Sequence, residues 1–244
     1  MEKKILYISS ILYYLLPFAL ITGPFLPDLF LSLISIFCFY LICVRSEWKY
    51  INNKYIISFF VFYLYLLVSS LLSMNVIHSL ESSFFYFRYG LFIAATVFLI
   101  QKIPNFIRFF GYALISTFIY CLIDGYYQFF FGTNLIGYSS LEESRLLLPL
   151  DDRLILGGLL ARLFPLIIGM FVLLYGNRKF NYLYVGILLI TTDVLIFLTG
   201  ERTAFGLLII STLFILFFIS KFRLMRIITF IISILLVIYF SFTN

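Results

Sequence analysis

Apolar residues in this chain come in long unbroken runs, unlike the one-sided stripes of a water-soluble helix or the alternation of a half-exposed strand. Nine runs stand out: Ile5 to Thr22, Leu29 to Val44, Tyr55 to Met74, Phe84 to Ile100, Phe106 to Ile123, Leu154 to Tyr175, Tyr182 to Leu198, Ala204 to Ser220 and Ile227 to Phe242. At 1.5 Å per helical residue each has about the length needed to cross a hydrocarbon core roughly 30 Å thick. The pattern therefore predicts an all-α, polytopic membrane protein of about nine transmembrane helices. The first run follows Lys3 and Lys4 as the core of a signal peptide would. Gly23-Pro24-Phe25-Leu26-Pro27-Asp28 is not a small-x-small cleavage pattern, so an uncleaved span is expected. No internal repeat, Gly/Ser linker or low-complexity block divides residues 1–244, which read as a single transmembrane domain.

Composition excludes the soluble and disordered classes. The chain is 64% hydrophobic, 21% aromatic and 11% charged, and its mean hydropathy is +1.12. A net charge of +6 would suit a nucleic-acid binder, but in a membrane protein basic residues usually record orientation. A cytoplasmic N-terminus gathers Lys3, Lys4, Arg45, Lys49, Lys54, Lys102, Arg108, Arg178, Lys179, Lys221, Arg223 and Arg226 on the inner side. Arg88, Arg145, Arg153, Arg162 and Arg202 then fall in outer loops or the outer halves of helices. So do Asp28, Glu81, Asp124, Glu142, Glu143, Asp151, Asp152, Asp193 and Glu201. Charge that breaks the orientation rule needs another explanation, which directs attention to the outer face. An odd number of spans places the C-terminus outside, and the chain stops two residues after Phe242. A truncated chain is expected.

The reactive residues limit the available chemistry. Cys38, Cys43 and Cys121 lie on apolar runs without metal-ligand spacing, so no metal site is expected. His78 is the only histidine and carries no accompanying signature; it reads as a solvated loop residue or a lone general base. The stretch Asp124-Gly125-Tyr126-Tyr127-Gln128-Phe129-Phe130-Phe131-Gly132-Thr133-Asn134 reads as an outer connection. Its aromatics suit interface anchoring or stacking on sugar rings. Asp151 and Asp152 precede the sixth run, where carboxylates would offset the positive end of a helix dipole. Arg145 has no such duty, and its forked guanidinium suits phosphate oxygens. Arg162, deep in that run, is expected to pair with Asp193 on the next helix, for packing or for function. In Thr199-Gly200-Glu201-Arg202-Thr203, Arg202 starts a helix, where its charge opposes the dipole and calls for an anion. Arg88 has a similar position. Arg88, Arg145 and Arg202 together would form an outward-facing site for a lipid-carried diphosphate.

Asp124-Gly125-Tyr126-Tyr127-Gln128 with Phe131-Gly132, then Arg145 with Asp151, Asp152 and Gly157, then Thr199-Gly200-Glu201-Arg202-Thr203-Ala204 resemble, in this order, the signatures of the O-antigen ligase and polymerase family of bacterial envelopes. The motif-bearing part is residues 120–210, and the resemblance covers about half the chain. It implies a metal- and cofactor-independent inverting glycosyltransferase in the bacterial inner membrane, acting at the periplasmic face in lipopolysaccharide or related polysaccharide biosynthesis. Such an enzyme moves a glycan from undecaprenyl diphosphate to lipid A core or to another glycan. The resemblance assigns Arg145 and Arg202, and more weakly Arg88, to the diphosphate; Asp151, Asp152 and Glu201, and the expected Arg162–Asp193 pair, are read as supporting residues. One departure matters. The family's catalytic histidine sits on a large periplasmic loop that would follow the ninth span, and His78 does not match it, so no catalytic residue is assigned. A flippase for lipid-linked sugars and a non-catalytic assembly factor are the alternatives. The first would carry charges through several broken helices; the second would explain the missing segment.

Overall fold

The structure, a computed structural model, describes residues 2–139, 145–151, 153–175 and 180–243. It is 82% helical and has no strand among the described residues. The helices are α1 (Glu2–Ala19), α2 (Phe25–Val44), α3 (Lys54–Leu71), α4 (Val76–Ser83), α5 (Phe87–Lys102), α6 (Phe106–Phe131), α7 (Leu156–Tyr175), α8 (Phe180–Leu198), α9 (Arg202–Phe218) and α10 (Ser220–Thr243). Each of the nine apolar runs lies on a helix, and the short α4 is added where a loop was expected. Among the described residues, six helical stretches are long and apolar enough to cross a membrane, and Leu183–Leu198 and Arg202–Phe218 are shorter apolar helices. Large apolar side chains such as Val61, Leu64, Ile210 and Leu235 are exposed, the reverse of a soluble protein's arrangement. The chain is a multi-pass membrane protein.

It forms two compact units, Met1–Leu20 with Pro24–Phe110, and Ile21–Gly23 with Gly111–Asn244. The division falls within α6, which explains why no linker marks it in the sequence. In unit 1, α2 packs on α1 and α5, and α3 packs on α4 and α5. Its core gathers Tyr13, Ile34, Cys38, Leu41, Phe98 and Leu99. The Tyr13 hydroxyl keeps its polarity satisfied through Thr96 at 3.2 Å. Gly90 of α5 is required for packing, because a Cβ there would lie 2.6 Å from the Phe59 ring of α3.

Unit 2 is organised around a buried ion pair. Arg226 of α10 donates to both carboxylate oxygens of Asp193 on α8, at 2.7 and 3.1 Å. Its Nε donates to the Thr212 hydroxyl of α9 at 3.2 Å. Ser233, two turns further along α10, donates to the same carboxylate at 3.1 Å. The guanidinium also lies 5.1 Å from the ring centre of Phe164 on α7 and 5.2 Å from that of Phe230. Both charged side chains are almost wholly buried, at 0% and 2% exposure. The pair thus joins four helices. This corrects two expectations: Asp193 pairs with Arg226 and not with Arg162, and Arg226 is not a solvated inner-loop cation. The physical reason for the second is that α10 begins at Ser220, seven residues ahead of the apolar run, which draws Arg226 into the helix.

Removing one partner leaves a buried charge without its counter-charge, which typically costs 3–5 kcal/mol, roughly, whereas replacing both with apolar residues is often neutral. Asp193→Leu and Arg226→Met are each expected to lower the thermal midpoint of the detergent-solubilised protein strongly. The double variant is expected to recover most of the loss, as read by a thermal-unfolding double-mutant cycle.

Candidate functional site

The site lies where the C-termini of α6 and α8 and the N-termini of α7 and α9 meet in unit 2. It begins at the start of α7. Gly157 and Gly158 open α7, and their backbone N–H groups donate to Oε1 and Oε2 of Glu201 at 2.8 and 3.0 Å. A single carboxylate from the α8–α9 connection therefore caps α7 from more than forty residues away. The sequence around it is fitted to this task. Gly200 turns the chain with φ +68°, in the left-handed region where glycine carries no steric penalty, so that Glu201 follows α8 directly. Gly157 has no side chain because a Cβ there would collide with Thr199 and come within 3.1 Å of Glu201 Oε1.

This finding replaces the cap expected from the acidic pair. Asp151 accepts from the Nε of Arg153 in a tight turn and lies beside Gly23, where a Cβ would sit 3.7 Å from its carboxylate. Asp152 lies outside the described residues. The helix begins four residues later than the acidic pair, beyond the reach of the first-turn dipole effect.

Two arginines lie near the cap, and a third follows it in sequence. Arg145 and Arg162 are close enough to act electrostatically on Glu201, and Arg202 follows it as the first residue of α9. All three arginines are exposed. Arg162 sits six residues into α7, but a helical side chain leans toward its own N-terminus, and a long guanidinium stem extends the lean. That lean carries Arg162 toward the start of α7. The same tendency on α8 carries Asp193 away from the α8–α9 connection, which accounts for the missing Arg162–Asp193 pair. Arg162 and Arg202 make no hydrogen bond or ion pair with the described residues. Burial raises the Glu201 carboxyl above its ordinary 4.5, against the Gly157 and Gly158 amides and the Arg145 and Arg162 guanidiniums, which pull it down.

The segment carrying Arg145 is fastened by polar groups that pattern reading missed. The stretch from Asp124 to Phe131, expected as a connection, is instead the last two turns of α6. Asp124 and Gln128, one turn apart, face inward and bond each other at 2.5 Å. Gln128 also accepts from Leu147 N at 2.8 Å and donates to Leu147 O at 3.0 Å. Asp124 Oδ1 accepts from Leu135 N at 2.8 Å, and Asn134 donates to Pro149 O at 3.3 Å. Their polarity is satisfied inside the fold, so helix continues where composition suggested loop. The i, i+4 spacing of Asp124 and Gln128 was the available signal. Phe130 and Phe131 remain exposed, as an interface belt requires.

An apolar cleft of about 770 Å³ in the same unit is bordered by Ile115, Ile119 and Tyr126 of α6, Phe171 of α7, and Tyr184 and Thr191 of α8. The Tyr126 hydroxyl donates to Thr191 O at 2.7 Å. Its neighbour Gly125 lets α6 approach Leu156 at the start of α7, where a Cβ would lie 2.9 Å away. Tyr126, at one end of the cleft, thus follows directly in sequence the glycine that packs on the first residue of α7.

No protein-family model, curated protein or solved structure matches this chain. The chemistry of the site alone carries the functional reading. Arg88 belongs to unit 1, where its Nη2 meets Asp28 Oδ2 at 2.9 Å, so the anion its position calls for is supplied by the chain itself. His78 is an exposed residue of α4, with Nδ1 3.8 Å from Glu81.

Two outcomes follow from the cap. Gly157→Ala is expected to displace Glu201 and destabilise the protein by on the order of 1–2 kcal/mol, the worth of a helix cap, measured by chemical denaturation. Because the folded Glu201 carboxyl lies above 4.5, its stabilising contribution is full below 4.5 and lost as pH rises through the folded value. Over the same window, acidification removes a negative charge from beside the arginines. Sulfate, whose own charge stays constant there, is expected to bind about fivefold tighter as pH falls from neutral toward that window, by calorimetric titration. Glu201→Gln is expected to flatten this dependence.

Proposed function

We propose that Arg145, Arg162 and Arg202 form the diphosphate site of a membrane glycosyltransferase of the O-antigen ligase and polymerase type. It takes a glycan from undecaprenyl diphosphate and passes it to lipid A core or to another glycan. The observation that carries this reading is the placement of the exposed Arg145 and Arg162 near Glu201, with Arg202 next to it in sequence, at a helix start whose dipole Glu201 already answers. Arg162 and Arg202, which make no hydrogen bond or ion pair with the described residues, have forked donors to offer phosphate oxygens. As the glycosidic bond breaks, negative charge grows on the departing diphosphate, and preplaced cations stabilise it most in the transition state. The apolar cleft bordered by Tyr126 supports a donor that is a lipid as well as an anion. Arg88 is left out of the site, since Asp28 already holds it, and Asp193 acts in packing. The acceptor's activating base is not assigned to any residue of this chain.

In this reading the nine apolar segments span a bacterial inner membrane with the N-terminus in the cytoplasm, the C-terminus in the periplasm and the arginines at the periplasmic surface. In cells carrying the full-length protein, Arg145→Ala and Arg202→Ala are each expected to lower glycan transfer about a hundredfold or more, with membrane insertion unchanged. Transfer assays on membranes, with insertion followed by fractionation, decide the matter. Unchanged transfer in both variants overturns the diphosphate site, and substrate movement without transfer assigns the protein to lipid transport instead.

A further inference from the structure

The opposite kind of charge problem appears in unit 1, at the end carrying the start of α1 and the α2–α3 and α5–α6 connections. Ion pairs Arg45–Glu2 at 2.9 Å and Lys102–Glu47 at 2.6 Å bring these segments together. There Lys3, Lys4, Arg45, Lys49, Lys54, Lys102 and Arg108 face only Glu2 and Glu47. A groove of about 440 Å³ opens at this end, bordered by Lys3, Tyr7, Ile11 and Tyr14 of α1 together with Lys102 and Phe109. Lys102 has its carboxylate partner; Lys3 is exposed and has no ion pair among the described residues. Beyond the lysines the walls are apolar, and Tyr14 closes on Phe106 and Phe109 with ring centres 5.3 and 5.9 Å apart.

The dimensions match one leaflet. From Lys3 to Tyr14 the groove follows α1 for eleven residues, about 16 Å of rise and close to half of a hydrocarbon core about 30 Å thick. A cationic mouth over an apolar furrow of that length has the amphipathy of a bilayer lipid. A soluble phosphate would leave the furrow empty, and a zwitterionic lipid would bring its own cation into a mouth that is already basic. We propose that this groove seats one anionic phospholipid of the surrounding bilayer, its phosphate between Lys3 and Lys102 and one acyl chain lying along α1 toward Tyr14. The site belongs to unit 1 and is independent of the proposed transfer reaction.

Native mass spectrometry of the delipidated full chain, titrated with phosphatidylglycerol or phosphatidylcholine, tests it. Phosphatidylglycerol is expected to be retained in preference to phosphatidylcholine. Lys3→Gln, which touches no described partner, is expected to weaken that retention about fivefold, the usual effect of one juxtamembrane lysine. Ile11→Trp, which fills the furrow, is expected to weaken it as well. Lys4→Gln, one residue away and outside the groove, is expected to leave it unchanged. Equal retention of the two lipids, or equal effects of Lys3→Gln and Lys4→Gln, would mean that charge attracts lipid diffusely, and the site would be refuted.

Discussion

The Asp193–Arg226 pair constrains the rest of unit 2 more than any other contact. Two unit charges removed from water are tolerable only when every remaining donor and acceptor is answered, since the desolvation cost otherwise exceeds the attraction. Here Asp193 receives the guanidinium and Ser233, and Arg226 reaches Thr212 and two aromatic rings. These partners come from α7, α8, α9 and α10, so the pair is satisfied in only one register of those helices. In a membrane this matters more than in water, because lipid tails offer little hydrophobic preference for one apolar helix face over another. Polar satisfaction then supplies the specificity that burial cannot.

That fixed register is what allows the α8–α9 connection to do its work. Asp193 lies on α8 ahead of Thr199-Gly200-Glu201, and Thr212 lies on α9 after it. With both helices tied to Arg226, the intervening turn has little freedom. Gly200 adopts its positive φ, and Glu201 is delivered to the open amides of α7. Structural polarity within the bundle and the charge arrangement at its end are therefore consecutive parts of the same helices.

Several of these features are legible in the sequence and others are not, for physical reasons. Helix existence is plain because spanning segments must satisfy every backbone group internally, and long apolar runs have no other solution. Gly157 and Glu201 stand out in the sequence as motif residues, although the role of the glycine as clearance for a carboxylate is visible only in three dimensions. The sequence pairs Asp193 with Arg162 because both fall in the outer halves of consecutive apolar runs, whereas Arg226 counts there as an inner-side cation. The better signal was the stripe Arg226, Thr229, Ser233 on α10, three polar residues on one face of an apolar helix. Likewise, Asp124 and Gln128 resemble loop residues by composition, and their one-turn spacing identifies them as a helical pair. Charge in an apolar helix is better interpreted by the face it shares than by its distance along the chain.

The distribution of duties at the end of unit 2 also bears on what kind of anion the site selects. An open helix start offers backbone amides to any small anion, whatever its shape. Glu201 occupies those amides on α7, so an incoming group meets guanidiniums instead. Guanidiniums are planar forks that favour paired oxygens, and in the proposed site several of them near a half-buried carboxylate would reward a ligand with negative oxygens spread over more than one phosphorus. The carboxylate that weakens attraction for a single charge thereby sharpens the preference for an extended one. Under the proposed function a diphosphate matches that preference, and the apolar cleft bordered by Tyr126 suits one attached to a lipid.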